Sequence, residues 1–161
     1  MATRKPKTVL FRRRREQKTN YRKRIKTLAG RKLRLVVRNS NTRIYGQVIK
    51  FEQTSDKILA SICSSMLKGH KWEGSYKNLS ASYLTGYKFG KELISKNLND
   101  LIFDSGVYQP KKGGKVYAFI KGVKDSGVDI AVNESAFPSE DRIAGKHLAK
   151  SNDIEKIKGK L

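Results

Sequence analysis

The sequence predicts an α/β domain: a three-strand antiparallel meander, a helix crossing over to a fourth strand of the same sheet, and a second packed helix. Two patterns carry this. Apolar residues alternate along short segments from Leu33 to Cys63, and after Ser80 they recur at helical spacing. A third observation sets the domain apart from what precedes it. Fifteen of the first 34 residues are Lys or Arg, against the single acid Glu16. No apolar core absorbs that much like charge, so residues 1–30 are expected to form an extended basic arm that folds against a partner. Residues 31–127 then make the α/β domain, and residues 128–161 a C-terminal extension with a helix near 139–150. A length of 161 residues suits one domain with tails.

Each element follows from local chemistry. In the arm, a short helical turn is expected around residues 20–28. Along LRLVVRN, Leu33, Leu35 and Val37 share one face, and Arg34, Val36 and Arg38 share the other. NSNT at 39–42 is turn chemistry. RIYGQVIKFE is the second strand, with Ile44, Gly46 and Val48 opposite Tyr45, Gln47 and Ile49. A turn at 53–56 leads to the third strand, KILASIC. Residues 68–79 are polar and irregular. Ser80 or Ser82 is the expected N-cap of a helix with a Tyr83, Tyr87, Gly90, Ile94 stripe. Glycine inside a helix costs about 1 kcal/mol relative to alanine, so Gly86 and Gly90 predict close packing, expected against the sheet. LIFDSG is a short buried strand, reached by a crossover. Val116, Phe119, Ile120 and Val123 define the second helix, which stops near Gly127. Residues 128–138 read as irregular. Pro138-Ser139-Glu140-Asp141 reads as a helix start, its acids suited to the helix dipole. Ile143, Ala144, His147 and Leu148 form that helix's apolar side, and the tail beyond Lys150 reads as polar and mobile.

Charge narrows the function. The formal net charge is +22. Residues 35–161 hold twenty-one of the basic and thirteen of the acidic residues, so the arm is the strongly basic element. Such a segment requires a polyanion. Membrane-binding helices interleave Trp, Phe or Leu on one face. Between Phe11 and Ile25 only Tyr21 is large and apolar or aromatic, which disfavours membrane. No run reaches transmembrane length, and no signal-peptide apolar region is expected at the N-terminus. Cys63 is the single cysteine, so no intramolecular disulfide forms and a reducing, intracellular setting is expected, with Cys63 as a buried structural thiol.

Catalytic and metal chemistry finds little support. His70, His147 and Cys63 are the only soft ligands and make no paired motif. No nucleophile elbow, P-loop or dinucleotide fingerprint occurs. Asp104, Asp125 and Asp129 are the acids a metal-dependent nuclease would need, but they are scattered, and scattered acids are usually caps and turns. No cofactor or small-molecule substrate is expected. Gly113 and Gly114 sit beside Lys111, Lys112 and Lys115 at a helix start, where a backbone phosphate binds as readily as water. The arm says more. Arg12, Arg13, Arg14 and Arg15 suit bidentate phosphate contacts and base stacking. Tyr21 beside Arg22 and Arg24 offers a stacking ring among phosphate donors, which favours RNA. With helices over the Leu33/Leu35/Val37 face, the other face is expected to show Arg34, Arg38, Tyr45 and Gln47 as a second RNA surface. A solvated sheet and a nonspecific basic tail produce similar compositions.

The runs FRRRREQKTNYRKR, RLVVRNSNTRIYGQVI, LASICS and GSYKNLSASYLTGYKFGKEL occur in order and resemble the large-subunit ribosomal proteins that bind 5S rRNA, number eighteen in bacteria. The longer arm, SASYLTGYKFGK and FPSEDRIAGKHLA resemble the archaeal form, related to the eukaryotic number-five protein. The resemblance spans residues 9–148. It implies helices against a mixed sheet, no enzymatic activity, and a place in the central protuberance beside 5S rRNA, large-subunit rRNA and neighbouring ribosomal proteins. It further implies RNA contacts at Arg12 to Arg15, Lys18, Thr19, Asn20, Tyr21, Arg22 and Arg24, and at Arg38, Asn41, Thr42, Arg43 and Tyr45. Bacterial members often carry histidine where this chain has Arg43, which keeps a donor but changes stacking. The alternative expectation is a nonribosomal nucleic-acid-binding protein with a disordered basic tail.

Overall fold

The computed structural model describes residues 8–70, 72–146 and 154–159. β1 (Leu33–Asn39), β2 (Ile44–Phe51) and β3 (Asp56–Cys63) form the expected antiparallel meander. β4 (Asp100–Asp104) and β5 (Asp129–Ile130) add to it in parallel, giving a mixed sheet ordered β3-β2-β1-β4-β5. α3 (Leu79–Ser95) makes the crossover from β3 to β4, and α4 (Lys115–Asp125) makes the one from β4 to β5. Residues 128–138, read as irregular, therefore contribute the fifth strand. Its two-residue length leaves no periodicity to detect, yet Val128 and Ile130 are buried.

The alternation assigns the faces correctly. Leu35, Val37, Ile44, Val48, Ala60 and Leu101 point into one core with Phe89, Leu93, Phe119, Ile120 and Val123 of the helices. Close packing at the glycines occurs between the helices rather than against the sheet. A Cβ on Gly86 would strike the Phe119 carbonyl, one on Gly122 would strike that of Tyr83, and one on Gly90 would overlap the Ser126 hydroxyl. The packed face of α3 runs through Gly86, Phe89, Gly90 and Leu93, while Ile94 of the expected stripe is exposed. Asn78, not Ser80 or Ser82, caps α3, accepting from the Ala81 N–H at 2.7 Å. Ser80 instead donates to the Ile143 carbonyl at 2.6 Å, joining α3 to α5 (Glu140–Ala144).

A second apolar cluster, Leu67, Trp72, Tyr83, Leu84 and Ile143, lies against α3. α5 starts at Ser139 as expected but ends early, because Gly145 takes a left-handed conformation (φ 74°) at its C-cap. His147 and Leu148 lie outside the described residues. The tail is not wholly polar and loose: α6 (Ile154–Lys158) places Ile154 and Ile157 on the second cluster. Cys63 is half-buried rather than buried, and its sulfur accepts from the Ser65 hydroxyl at 3.2 Å. Among the described residues no helix is long and apolar enough to cross a membrane.

Candidate nucleic-acid interface

The arm folds back on the sheet. α1 (Arg12–Arg15) and α2 (Tyr21–Ala29) have no fully buried residue, although Tyr21 and Leu28 are half-buried. A left-handed Gln17 (φ 52°) turns the chain between them, and Arg13 Nε donates to Thr19 Oγ1 at 2.8 Å across the turn. Phe11 packs on Tyr21 with ring centroids 5.4 Å apart, so that ring already has an aromatic neighbour. Asn20 caps α2, accepting from the Lys23 N–H at 3.1 Å. The expected short turn at 20–28 is thus a capped nine-residue helix. The first helix was not foreseen, because four consecutive arginines have no amphipathic period.

Charge, not apolar area, holds α2 in place. Arg24 makes a bidentate pair with Asp56, both N–O distances being 2.9 Å. Arg34 reaches the same Asp56 at 2.9 Å and Asp104 at 3.1 Å. Two arginines and two aspartates therefore form a neutral cluster between arm and sheet. Lys23 adds a contact to the Ser105 hydroxyl at 3.3 Å, and Gly30 lies over Ile102. Burial alone would raise the Asp56 carboxyl, but hydrogen bonds and charge from Arg24 and Arg34 outweigh it and hold the group below its ordinary value of 3.8.

This cluster corrects the reading of Arg34 as part of an open sheet face. Its side chain is only 3% exposed, because α2 and the two aspartates cover it. Arg34 Nε has no hydrogen-bond partner among the described residues, while Nη2 meets Asp56 as an ion pair at 2.9 Å. Asp104 is committed to Arg34 and the Gly106 N–H, and Asp125 accepts from the Tyr83 hydroxyl at 2.7 Å. Among the described residues no three His, Cys, Asp or Glu side chains gather into a metal-binding group.

The remaining predicted residues divide among the arm, the β1–β2 end of the sheet and the loop before residue 115. Arg12, Arg13, Arg14, Arg15, Lys18, Asn20 and Arg22 are exposed on the arm, while Thr19, Tyr21 and Arg24 are half-buried. Arg38 and Tyr45 are register partners on β1 and β2, both exposed on the face that the arm overhangs. Asn41, Thr42 and Arg43 are exposed in the turn between those strands. Between arm and sheet runs a cleft of about 590 Å³, lined by Arg13, Lys18, Asn20, Val36, Arg38, Val107 and Tyr108 among others. A smaller hollow of about 210 Å³ continues it from Asn39 and Tyr108 to Lys111 and Lys115. Lys112 is exposed on the same loop. There Gly113 (φ 66°) and the N-cap Gly114 leave the α4 N-terminus without a side-chain cap. Sequence reasoning missed Asp56, Lys23 and Tyr108. Tyr108 beside Lys111 and Lys112 was the available signal for the loop. Nothing local marks Asp56 as the arm's anchor.

The family model for "Ribosomal large subunit proteins 60S L5, and 50S L18" matches residues 5–103. The chain is 44% identical over 141 residues to large ribosomal subunit protein uL18 of Methanosphaera stadtmanae, covering 88% of this chain and 73% of that one. It is 40% identical over 157 residues to uL18 of Methanothrix thermoacetophila, covering 98% and 93%. With uL18 of Korarchaeum cryptofilum it shares 42% over 141 residues, covering 88% and 72%. Arm, sheet face and basic loop are thus set within a chain that belongs to the family of large-subunit ribosomal proteins 60S L5 and 50S L18, in its archaeal form.

Proposed function

We propose that this protein binds 5S rRNA and helps anchor it in the central protuberance, touching large-subunit rRNA and neighbouring ribosomal proteins there. As a family member it is a structural constituent of the large ribosomal subunit in the cytoplasm. Its contribution is positioning and charge neutralisation, not catalysis. One observation carries the RNA reading: the arm and the Arg38 end of β1 line one concave surface rimmed by basic residues, continued past Tyr108 to the Lys111–Lys115 loop. Arm residues supply guanidinium donors for closely spaced phosphates, and Arg38, Tyr45 and Arg43 supply a surface for irregular RNA. Residues 1–30 serve as the RNA-gripping arm, 31–127 as the RNA-binding domain, and 128–161 as a C-terminal extension that completes the sheet edge and braces α3.

A gel shift of the full chain with 5S rRNA, tRNA and duplex DNA at matched salt tests this. A clear preference for 5S rRNA is expected, with log affinity falling steeply as log salt rises. Equal affinity for all three would make the protein a nonspecific basic binder instead.

A further inference from the structure

We infer that the cleft between arm and sheet seats one unstacked nucleotide of the bound RNA, its base inside and its phosphate on the rim. The inference rests on the RNA-binding reading and adds a defined site to it. Charge separates the two parts of the cleft. Its floor is the Arg24/Arg34/Asp56/Asp104 cluster, in which two positive and two negative groups cancel, so it offers a phosphate no net attraction. Its rim carries Arg13, Lys18 and Arg38; Lys18 is paired with Glu16 at 2.9 Å, and among the described residues Arg13 and Arg38 meet no acid. A phosphate is therefore drawn to the rim and an uncharged base to the interior.

The interior also has the right composition. Val36 and Val107 supply apolar wall, and Tyr108, 54% exposed, supplies a phenol ring. Tyr108 and Val107 offer a base a flat aromatic and apolar surface to stack on while its phosphate meets the rim. The volume of about 590 Å³ falls within the roughly 300–1,000 Å³ of small-molecule sites. A volume of about 590 Å³ holds a nucleotide but not a duplex. The site thus selects nucleotides already free of pairing.

The test compares the wild-type chain with Val107→Trp and Tyr108→Ala. Val107 is 44% exposed and lines the cleft, so tryptophan there narrows the cleft without entering the core. Affinities are measured for 5S rRNA, a single-stranded RNA ten-mer and an RNA duplex across a salt series. Val107→Trp is expected to cost about tenfold on 5S rRNA and on the ten-mer at every salt. It should leave the log–log salt slope and the duplex affinity unchanged. Tyr108→Ala should show the same pattern, and ultraviolet cross-linking of the wild-type complex should attach a nucleotide to Tyr108. Unchanged single-strand affinity in Val107→Trp, or an equal loss on duplex, overturns the site. If the wild type ignores 5S rRNA but its ten-mer binding is still cut by Val107→Trp, the ribosomal reading falls and the cleft stands. If the wild type prefers 5S rRNA and Val107→Trp binds it normally, the cleft falls and the reading stands. No binding of either RNA overturns both.

Discussion

The two faces of the central strand are covered in opposite ways. On one, Leu35 and Val37 meet α3 and α4, which interlock so closely that Gly86 and Gly122 have no room for a Cβ. On the other, Arg34 meets Asp56, Asp104 and an arm with no buried residue. Apolar interlocking is short-ranged and geometrically exacting, so it fixes one arrangement. Charge pairing around the buried Arg34 is less exacting in geometry, and it leaves outer cations such as Arg13 and Arg38 facing solvent, where a polyanion can reach them. The fold is secured on the helical face, and the RNA surface is carried by the other.

Breaking each face tests that contrast. The largest effect is expected for Arg34→Met, which strands Asp104 beside an apolar side chain. Removing one partner of a buried pair costs about 3–5 kcal/mol, to be read from urea unfolding. A loss below about 1 kcal/mol would show that the charged seam does little for stability. On the helical face, Gly122→Val forces a side chain onto the Tyr83 carbonyl. Overpacking of this kind costs about 1–3 kcal/mol, and the same denaturation experiment should show it with no specific effect on RNA binding.

Deleting residues 1–24 separates stability from binding. The domain should still unfold cooperatively, since the arm buries little, while affinity for 5S rRNA at moderate salt should fall by about a hundredfold. The salt slope should drop by roughly 0.7–0.9 per lost phosphate contact. Loss of cooperative unfolding would place the arm in the core.

Asp56→Asn is smaller and more discriminating. Simple charge counting predicts tighter RNA binding when an acid leaves a basic surface. The seam predicts weaker binding, by about 1 kcal/mol, because Arg24 loses its anchor and the arm its position. Acid titration gives the smallest effect. The Asp56 carboxyl is depressed in the fold, so its contribution is fully present above the ordinary value of 3.8 and is lost as pH falls through the depressed one. The stability advantage of wild type over Asp56→Asn should therefore be constant near neutrality and shrink only below about pH 4. An advantage that already shrinks well above pH 4 would assign it to another group.

Much of this was legible in advance. The meander, its face assignments, the crossover and both packed helices follow from periods of two and 3.6, because local backbone geometry dictates which side chains share a side. The basic arm was legible from its charge, the placement of Arg38 and Tyr45 from the alternation, and the turn between their strands from NSNT. Arg34 was not. Alternation places it on the face opposite Leu35, but it does not say what covers that face. Two residues of β5 carry no period, and α6 shows its apolar side only because Ile154 and Ile157 find the Leu67/Trp72 cluster.

By itself, then, the sequence determined the secondary elements, the apolar faces, the polyanion-seeking arm and the family resemblance, all properties of neighbouring residues and composition. The tertiary structure decided that the arm returns across the sheet, that Asp56 anchors it 32 residues from Arg24, and that a cleft opens between them. Those depend on contacts between distant residues, and charge pairing leaves no periodic trace in the chain from which such a contact could be read.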